Sequence, residues 1–94
     1  MNKQLQRHLK RVAQTLPAKY QIGKADLSEQ NLSLLDKALT AHELIKITIH
    51  ESIWPTFQHR MDELCSQLKA SCVQVIGHKM ILYRENPLKR QFVK

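Results

Sequence analysis

Apolar positions along the chain change their spacing several times, and each change marks an element. Leu5, Leu9, Val12, Ala13 and Leu16 recur at helical spacing, while Lys3, Arg7, Lys10 and Arg11 fall on the opposite side at about 100° per residue. This predicts an amphipathic helix with a basic outer face, ended near Pro17 because proline cannot donate to the helical ladder. Lys19 to Ile22 reads as a short strand. Gly23-Lys24-Ala25-Asp26 is a loop into a second helix capped by Ser28 or Asp26, which runs to about His42 on a stripe of Leu32, Leu35 and Leu39. From Leu44 to His50 the period becomes two: Ile45, Ile47 and Ile49 face one way, and Lys46, Thr48 and His50 the other.

Trp54-Pro55 opens a third helical pattern, with Phe57, Met61, Leu64 and Leu68 on one face. Cys72 to Ile76 and Lys79 to Tyr83 then form an antiparallel hairpin around Gly77-His78. The expected order is αβαβαββ. Crossover helices give the sheet a parallel component and the hairpin an antiparallel one, so the fold class is α/β (α+β): a two-layer sandwich with a four-stranded mixed sheet. Residues 1–85 make a single domain, and residues 86–94 are expected to form a basic, mobile tail.

Ninety-four residues suffice for one core and not for two. With only five aromatic side chains, Leu, Ile and Val must supply most of its buried area. No apolar run approaches the roughly 18 residues of a membrane span, and the polar, basic N-terminal stretch is unlike a secretory signal, so a cytoplasmic location is expected.

Charge sharpens the picture. The net charge is +7, arranged as +6 over residues 1–24, −4 over residues 25–63 and +5 over residues 64–94. Two basic ends flanking an acidic middle would, if folded together, attract a polyanion in a salt-sensitive way.

Candidate chemistry is sparse. Cys65 and Cys72 lie seven apart without a second pair to complete a zinc site, so both are expected to be reduced and packed as small hydrophobes. His42-Glu43 begins like HExxH, but Lys46 stands where the second histidine belongs. No GxSxG elbow, Walker loop or dinucleotide fingerprint occurs, so neither an enzyme nor a bound cofactor, metal or small-molecule substrate is expected.

Three segments carry a resemblance. Gln21-Ile22-Gly23-Lys24, then Ala41-His42-Glu43-Leu44-Ile45-Lys46, then Val73-Gln74-Val75-Ile76-Gly77 with Ile81-Leu82-Tyr83-Arg84, stand in an order and spacing that resemble the YhbY branch of the CRM domain family, small RNA-binding domains named for chloroplast RNA splicing and ribosome maturation. The resemblance runs from Lys3 to Arg84 and implies a fold similar to the C-terminal domain of bacterial translation initiation factor three. It also implies a GxxG-like loop that brings the backbone against RNA phosphates. Here that loop would be Gly23, Lys24, Ala25 and Asp26, with Gly23 setting the turn, Lys24 contacting phosphate, and Asp26 standing where the family carries its second glycine.

Stand-alone members of this family resemble bacterial proteins associated with large-subunit precursors. The resemblance therefore implies a non-catalytic RNA-binding protein that assists ribosome assembly on ribosomal RNA. Its footprint would comprise Lys3, Arg7, Lys10 and Arg11 on the first helix and Gly23, Lys24 and Ala25 in the loop, extended by Lys46, Lys79 and Arg84. A monomer is expected, since each apolar stripe has a use within one core. The competing reading is a protein-binding assembly factor that grips a ribosomal protein through an exposed patch around Trp54 and Phe57.

Overall fold

The computed structural model describes residues 3–23 and 28–85. The elements are α1 (Lys3–Gln14), β1 (Tyr20–Ile22), α2 (Glu29–His42), β2 (Leu44–Ile49), α3 (Trp54–Phe57), α4 (Met61–Leu68), β3 (Ser71–Ile76) and β4 (Lys79–Tyr83). The four strands form one mixed sheet in the order β1-β2-β4-β3. β1 pairs parallel with β2, and β4 lies antiparallel between β2 and β3. The hairpin partner β4 has thus inserted between two strands that run the same way. The expected tail over 86–94 lies outside the described residues.

The period-two pattern of β2 decides the layering. Ile45, Ile47 and Ile49 join Ile22, Met80 and Leu82 on one side of the sheet, where Leu35, Ala38 and Leu39 of α2, Phe57, and Leu64 and Leu68 of α4 close over them. That is the expected sandwich. On the other side, Leu44, Ile81, Tyr83 and Val73 form a second, smaller cluster with Leu9 and Ala13 of α1. The first helix therefore covers one end of the opposite face, and only there is the sheet buried on both sides.

Local chemistry explains the element ends. Ser28 caps α2 as expected, accepting the Asn31 N–H on its hydroxyl at 3.2 Å. The helix closes at Glu43, which is fully buried, has φ 62°, and donates its N–H to the Leu39 carbonyl. Arg84 N–H then donates to the Glu43 carbonyl at 2.9 Å, tying the end of β4 to the start of β2. In the hairpin, Gly77 takes φ +59°, the left-handed turn position that a glycine occupies without steric cost.

The third helix departs from expectation. One continuous helix over Phe57, Met61, Leu64 and Leu68 is replaced by α3 and α4. The N–H groups of His59 and Arg60 donate to the carbonyls of Thr56 and Phe57 at 3.2 and 2.7 Å, so the ladder tightens to three-residue spacing before restarting with Leu64 on Arg60. Phe57, Leu64 and Leu68 are nevertheless all buried, because the break preserves the face they share.

Candidate nucleic-acid interface

The packing of Leu9 and Ala13 into the second cluster turns the other side of α1 outward. Lys3, Arg7 and Arg11 are exposed there and Lys10 is half-buried, so the four cations expected on one helix face are presented together. α1 lies across the strands. Near its start, Gln6 Nε2 donates to the Val73 carbonyl on the edge strand β3 at 3.4 Å. At its end, Lys46 Nζ rises from β2 and donates to the carbonyls of Ala13 at 3.0 Å and Leu16 at 3.2 Å. The Ala13 carbonyl also accepts the Leu16 N–H at 3.2 Å, so the ammonium joins the turn that ends the helix to the sheet. The site thus rests on a helix held at both ends.

Two expected contact residues have other work. Lys46 spends its ammonium on the end of α1. Arg84 directs its guanidinium to the Asp36 carboxylate at 2.7 Å, the Leu68 carbonyl at 2.9 Å, the Asp36 carbonyl at 2.8 Å and the Thr40 hydroxyl at 2.9 Å. It joins β4 to α2 and α4 on the helical side of the sheet, away from α1. Both are structural cross-braces in this fold, with few N–H groups left for a ligand.

Lys79 is placed differently. It is exposed at the start of β4, opposite Thr48 on one side and Ile76 on the other. Thr48 in turn lies opposite Gln21 on β1. Gln21, Thr48, Lys79 and Ile76 therefore form one row across all four strands, on the face that carries α1 but one pleat repeat, about 7 Å, beyond the Lys46 row that α1 covers. This open strip was missed in the sequence, although Thr48, polar on the same face as the apolar Leu44, was a signal that the covering layer stops between them.

Beyond the strip lies the end of the sheet where the Gly23 loop begins. Gln21, Gly23, Thr48, His50, Glu51 and His78 line a groove of about 290 Å³. His78 Nδ1 donates to the Ile49 carbonyl at 2.6 Å, which fixes the ring across the hairpin turn. His50 Nδ1 accepts the Ser52 N–H at 3.1 Å.

Lys24, Ala25 and Asp26 fall outside the described residues. Gly23 is described, and it does not set the turn through a left-handed backbone: the only described glycine with positive φ is Gly77. A Cβ built on Gly23 would meet nothing within 4 Å. The fold itself makes no demand for glycine at this position.

Other expectations also change. Phe57 is fully buried and Trp54 packs half-buried against the main core, so these aromatics do not form an exposed patch. The exposed large apolar side chains among the described residues are Leu34, Val75 at 38% and Ile76 at 48%. Cys72 is exposed and Cys65 half-buried, rather than both being packed away. A 3-residue β1 starts at Tyr20 instead of Lys19.

A family model for the CRS1/YhbY (CRM) domain matches residues 1–84. The chain is 36% identical over 66 residues to a probable RNA-binding protein of Pseudomonas aeruginosa, a match spanning 70% of this chain and 64% of that relative. It is 36% identical over 76 residues to an RNA-binding protein of Haemophilus influenzae, spanning 81% and 77%, and 27% identical over 85 residues to the probable RNA-binding protein YqeI of Bacillus subtilis, spanning 90% and 88%. Among solved structures, that of the hypothetical protein SAV1595 from Staphylococcus aureus matches with a TM-score of 0.76 at 27% identity, covering 92% of this chain and 90% of that one. With the same fold in a solved relative and a family match over nearly its whole length, this chain belongs to the CRS1/YhbY (CRM) domain family.

Proposed function

We propose that this protein is a non-catalytic RNA-binding protein that docks on ribosomal RNA of the large-subunit precursor and assists its assembly, acting as a cytoplasmic monomer. The observation that carries the reading is the seat of α1: Lys3, Arg7, Lys10 and Arg11 share one outward face of a helix bound to the sheet at both ends. Cations on a fixed frame neutralise spaced phosphates with little loss of backbone freedom on binding. The names of the relatives, each an RNA-binding protein, support the same class of ligand.

In this reading α1 supplies the electrostatic footprint and the open strip of Gln21, Thr48, Lys79 and Ile76 supplies a shallow, mostly uncharged floor beside it. Gly23 stands at the far end, and Lys24 and Ala25, next in the chain, belong to the same proposed contact set. Gly23 is then glycine for the sake of the ligand, since no neighbouring atom excludes a side chain there and a phosphate backbone would. Phosphate contacts set position and affinity, and the shape of the folded RNA sets selectivity. Lys46 and Arg84 contribute by holding the frame.

Sedimentation of the tagged protein in cell lysate through a sucrose gradient, at low and raised salt, tests this role. Co-migration with large-subunit precursors that weakens as salt rises is expected. Protein that stays at the top at both salts overturns the ribosomal assignment, and retention that is indifferent to salt points to a protein partner instead.

A further inference from the structure

Five polar side chains, Gln21, Thr48, His50, Glu51 and His78, line the groove of about 290 Å³ at the Gly23 end of the sheet. Main-chain bonds fix its walls. His50 N–H donates to the Ile22 carbonyl at 2.9 Å, joining the end of β2 to β1, and Ile49 N–H donates to the His78 carbonyl at 2.8 Å, joining it to the hairpin turn. No lysine or arginine is among the described lining residues, and Glu51 adds a carboxylate, so the groove repels phosphate rather than seating it. Its volume lies near the lower end of the range for small-ligand sites, about 300 Å³, which suits one planar heterocycle.

The two histidines are held in opposite tautomers. His78 Nδ1 donates to the Ile49 carbonyl at 2.6 Å, so its neutral ring keeps a lone pair on Nε2. His50 Nδ1 accepts the Ser52 N–H at 3.1 Å, so the proton of its neutral ring sits on Nε2. One ring therefore offers an acceptor and the other a donor. The Glu51 carboxylate can only accept. Neither Nε2 atom, nor the Glu51 carboxylate, the Gln21 amide or the Thr48 hydroxyl, has a hydrogen-bond partner among the described residues. The bonding capacity of the groove is thus unspent.

We propose that this groove holds one unpaired guanine base of the bound RNA, with the Glu51 carboxylate and His78 Nε2 accepting from its N1–H and amino group and His50 Nε2–H donating to its O6. The proposal rests on the RNA-binding reading above and adds one base contact to the phosphate contacts of α1. The pairing edge of guanine offers two donors beside one acceptor. Adenine offers one of each, and uracil and cytosine each offer two acceptors with a single donor, so guanine alone matches a site of two acceptors and one fixed donor. Gln21 and Thr48 can donate or accept, so they add bonds without choosing the base. A neutral base also tolerates the carboxylate that a phosphate would not.

The test titrates the full chain, by fluorescence anisotropy, with short oligouridylates carrying one central guanosine, inosine or adenosine, and with uridine throughout. All of these probes carry the same phosphates, so differences among them report the base. Wild type is expected to bind the guanosine probe roughly tenfold more tightly than the all-uridine one. Inosine, which lacks the amino group, should lose most of that advantage. Glu51 is exposed and has no partner among the described residues, so Glu51→Gln is expected to fold, which circular dichroism checks, and its preference for guanosine over inosine should largely vanish. Equal binding of the guanosine and all-uridine probes, equal binding of guanosine and inosine, tightest binding of adenosine, no binding of any probe, or an unchanged preference in Glu51→Gln overturns the proposal. A large-subunit ribosomal RNA transcript titrated in parallel separates the two failures. If the transcript binds in a salt-sensitive way while the probes show no preference, the guanine site is wrong and the RNA-binding reading stands; if the transcript does not bind, both fall.

Discussion

Lys46 on β2 donates to the main-chain carbonyl of Ala13 at 3.0 Å, so a lysine of the sheet closes the C-terminal end of the basic helix. A second bond to Leu16 at 3.2 Å completes the cap. A cation at that end also faces the negative pole of the helix. The residue that sequence places in the RNA footprint therefore braces the basic helix from beneath.

Its replacement separates the two roles. Lys46→Met keeps much of the side-chain length but leaves both carbonyls without the ammonium. Unfolding in urea should show a loss of ~1–3 kcal/mol with an unchanged m value. RNA affinity should fall by less than it does on reversing one exposed helix charge.

Arg84 makes the corresponding prediction on the other face. Its partner Asp36 is 58% exposed at the side chain, so the ion pair alone contributes little. The bonds to the Leu68 and Asp36 carbonyls carry more, since they join β4 to α4 and α2. Arg84→Ala should lower stability by ~1–3 kcal/mol. Arg84→Lys should recover only part of that, because a single ammonium cannot reach acceptors arranged around a planar fork.

The two glycines should behave oppositely on substitution by alanine. Gly77 holds φ +59°, and Gly77→Ala should cost ~1–2 kcal/mol of stability through the backbone alone, since its Cβ would meet no atom within 4 Å. Gly23→Ala has no such strain and should leave thermal unfolding unchanged or raise stability by up to ~1 kcal/mol. If the Gly23 backbone lies against phosphate, the same variant should bind RNA more weakly, which a filter-binding titration reads directly.

The pH dependence of alkylation checks the environment of Cys72. Because only the thiolate reacts, Cys72 should be alkylated slowly below its pKa of about 7 and reach a plateau above it. Cys65→Ala removes the neighbouring thiol that lowers Cys72, so its profile should move to higher pH. A wild-type midpoint in the ordinary range of an isolated thiol would contradict the arrangement.

Most of the frame was legible in the sequence because it rests on periodicity. Ile45, Ile47 and Ile49 announce β2, and Leu5, Leu9 and Val12 announce α1, since burial on one face leaves no other pattern available. The placement of α1 was not legible: its stripe says that it packs, and not which side of the sheet receives it. The break between α3 and α4 was hidden because Phe57 and Met61 keep helical spacing across it.

The roles of Lys46 and Arg84 were hidden for a different reason. Their partners are main-chain carbonyls brought near by the fold, and a carbonyl leaves no mark in the sequence. The reversal that ends α4 depends likewise on the left-handed turn at Lys69, which the residue type does not advertise. By contrast Lys3, Arg7, Lys10 and Arg11 were legible as a set, because one helix face is fixed by spacing alone.

The most direct test of the central claim is the affinity of the full chain for a large-subunit ribosomal RNA transcript across a salt series, for wild type and for Arg7→Glu, Lys10→Glu and Arg11→Glu combined. With α1 as the footprint, the variant should remain folded, bind far more weakly, and show a log K against log salt slope flattened by roughly one unit for each phosphate that the helix no longer neutralises. A folded variant that keeps both the affinity and the salt slope of the wild type would contradict it.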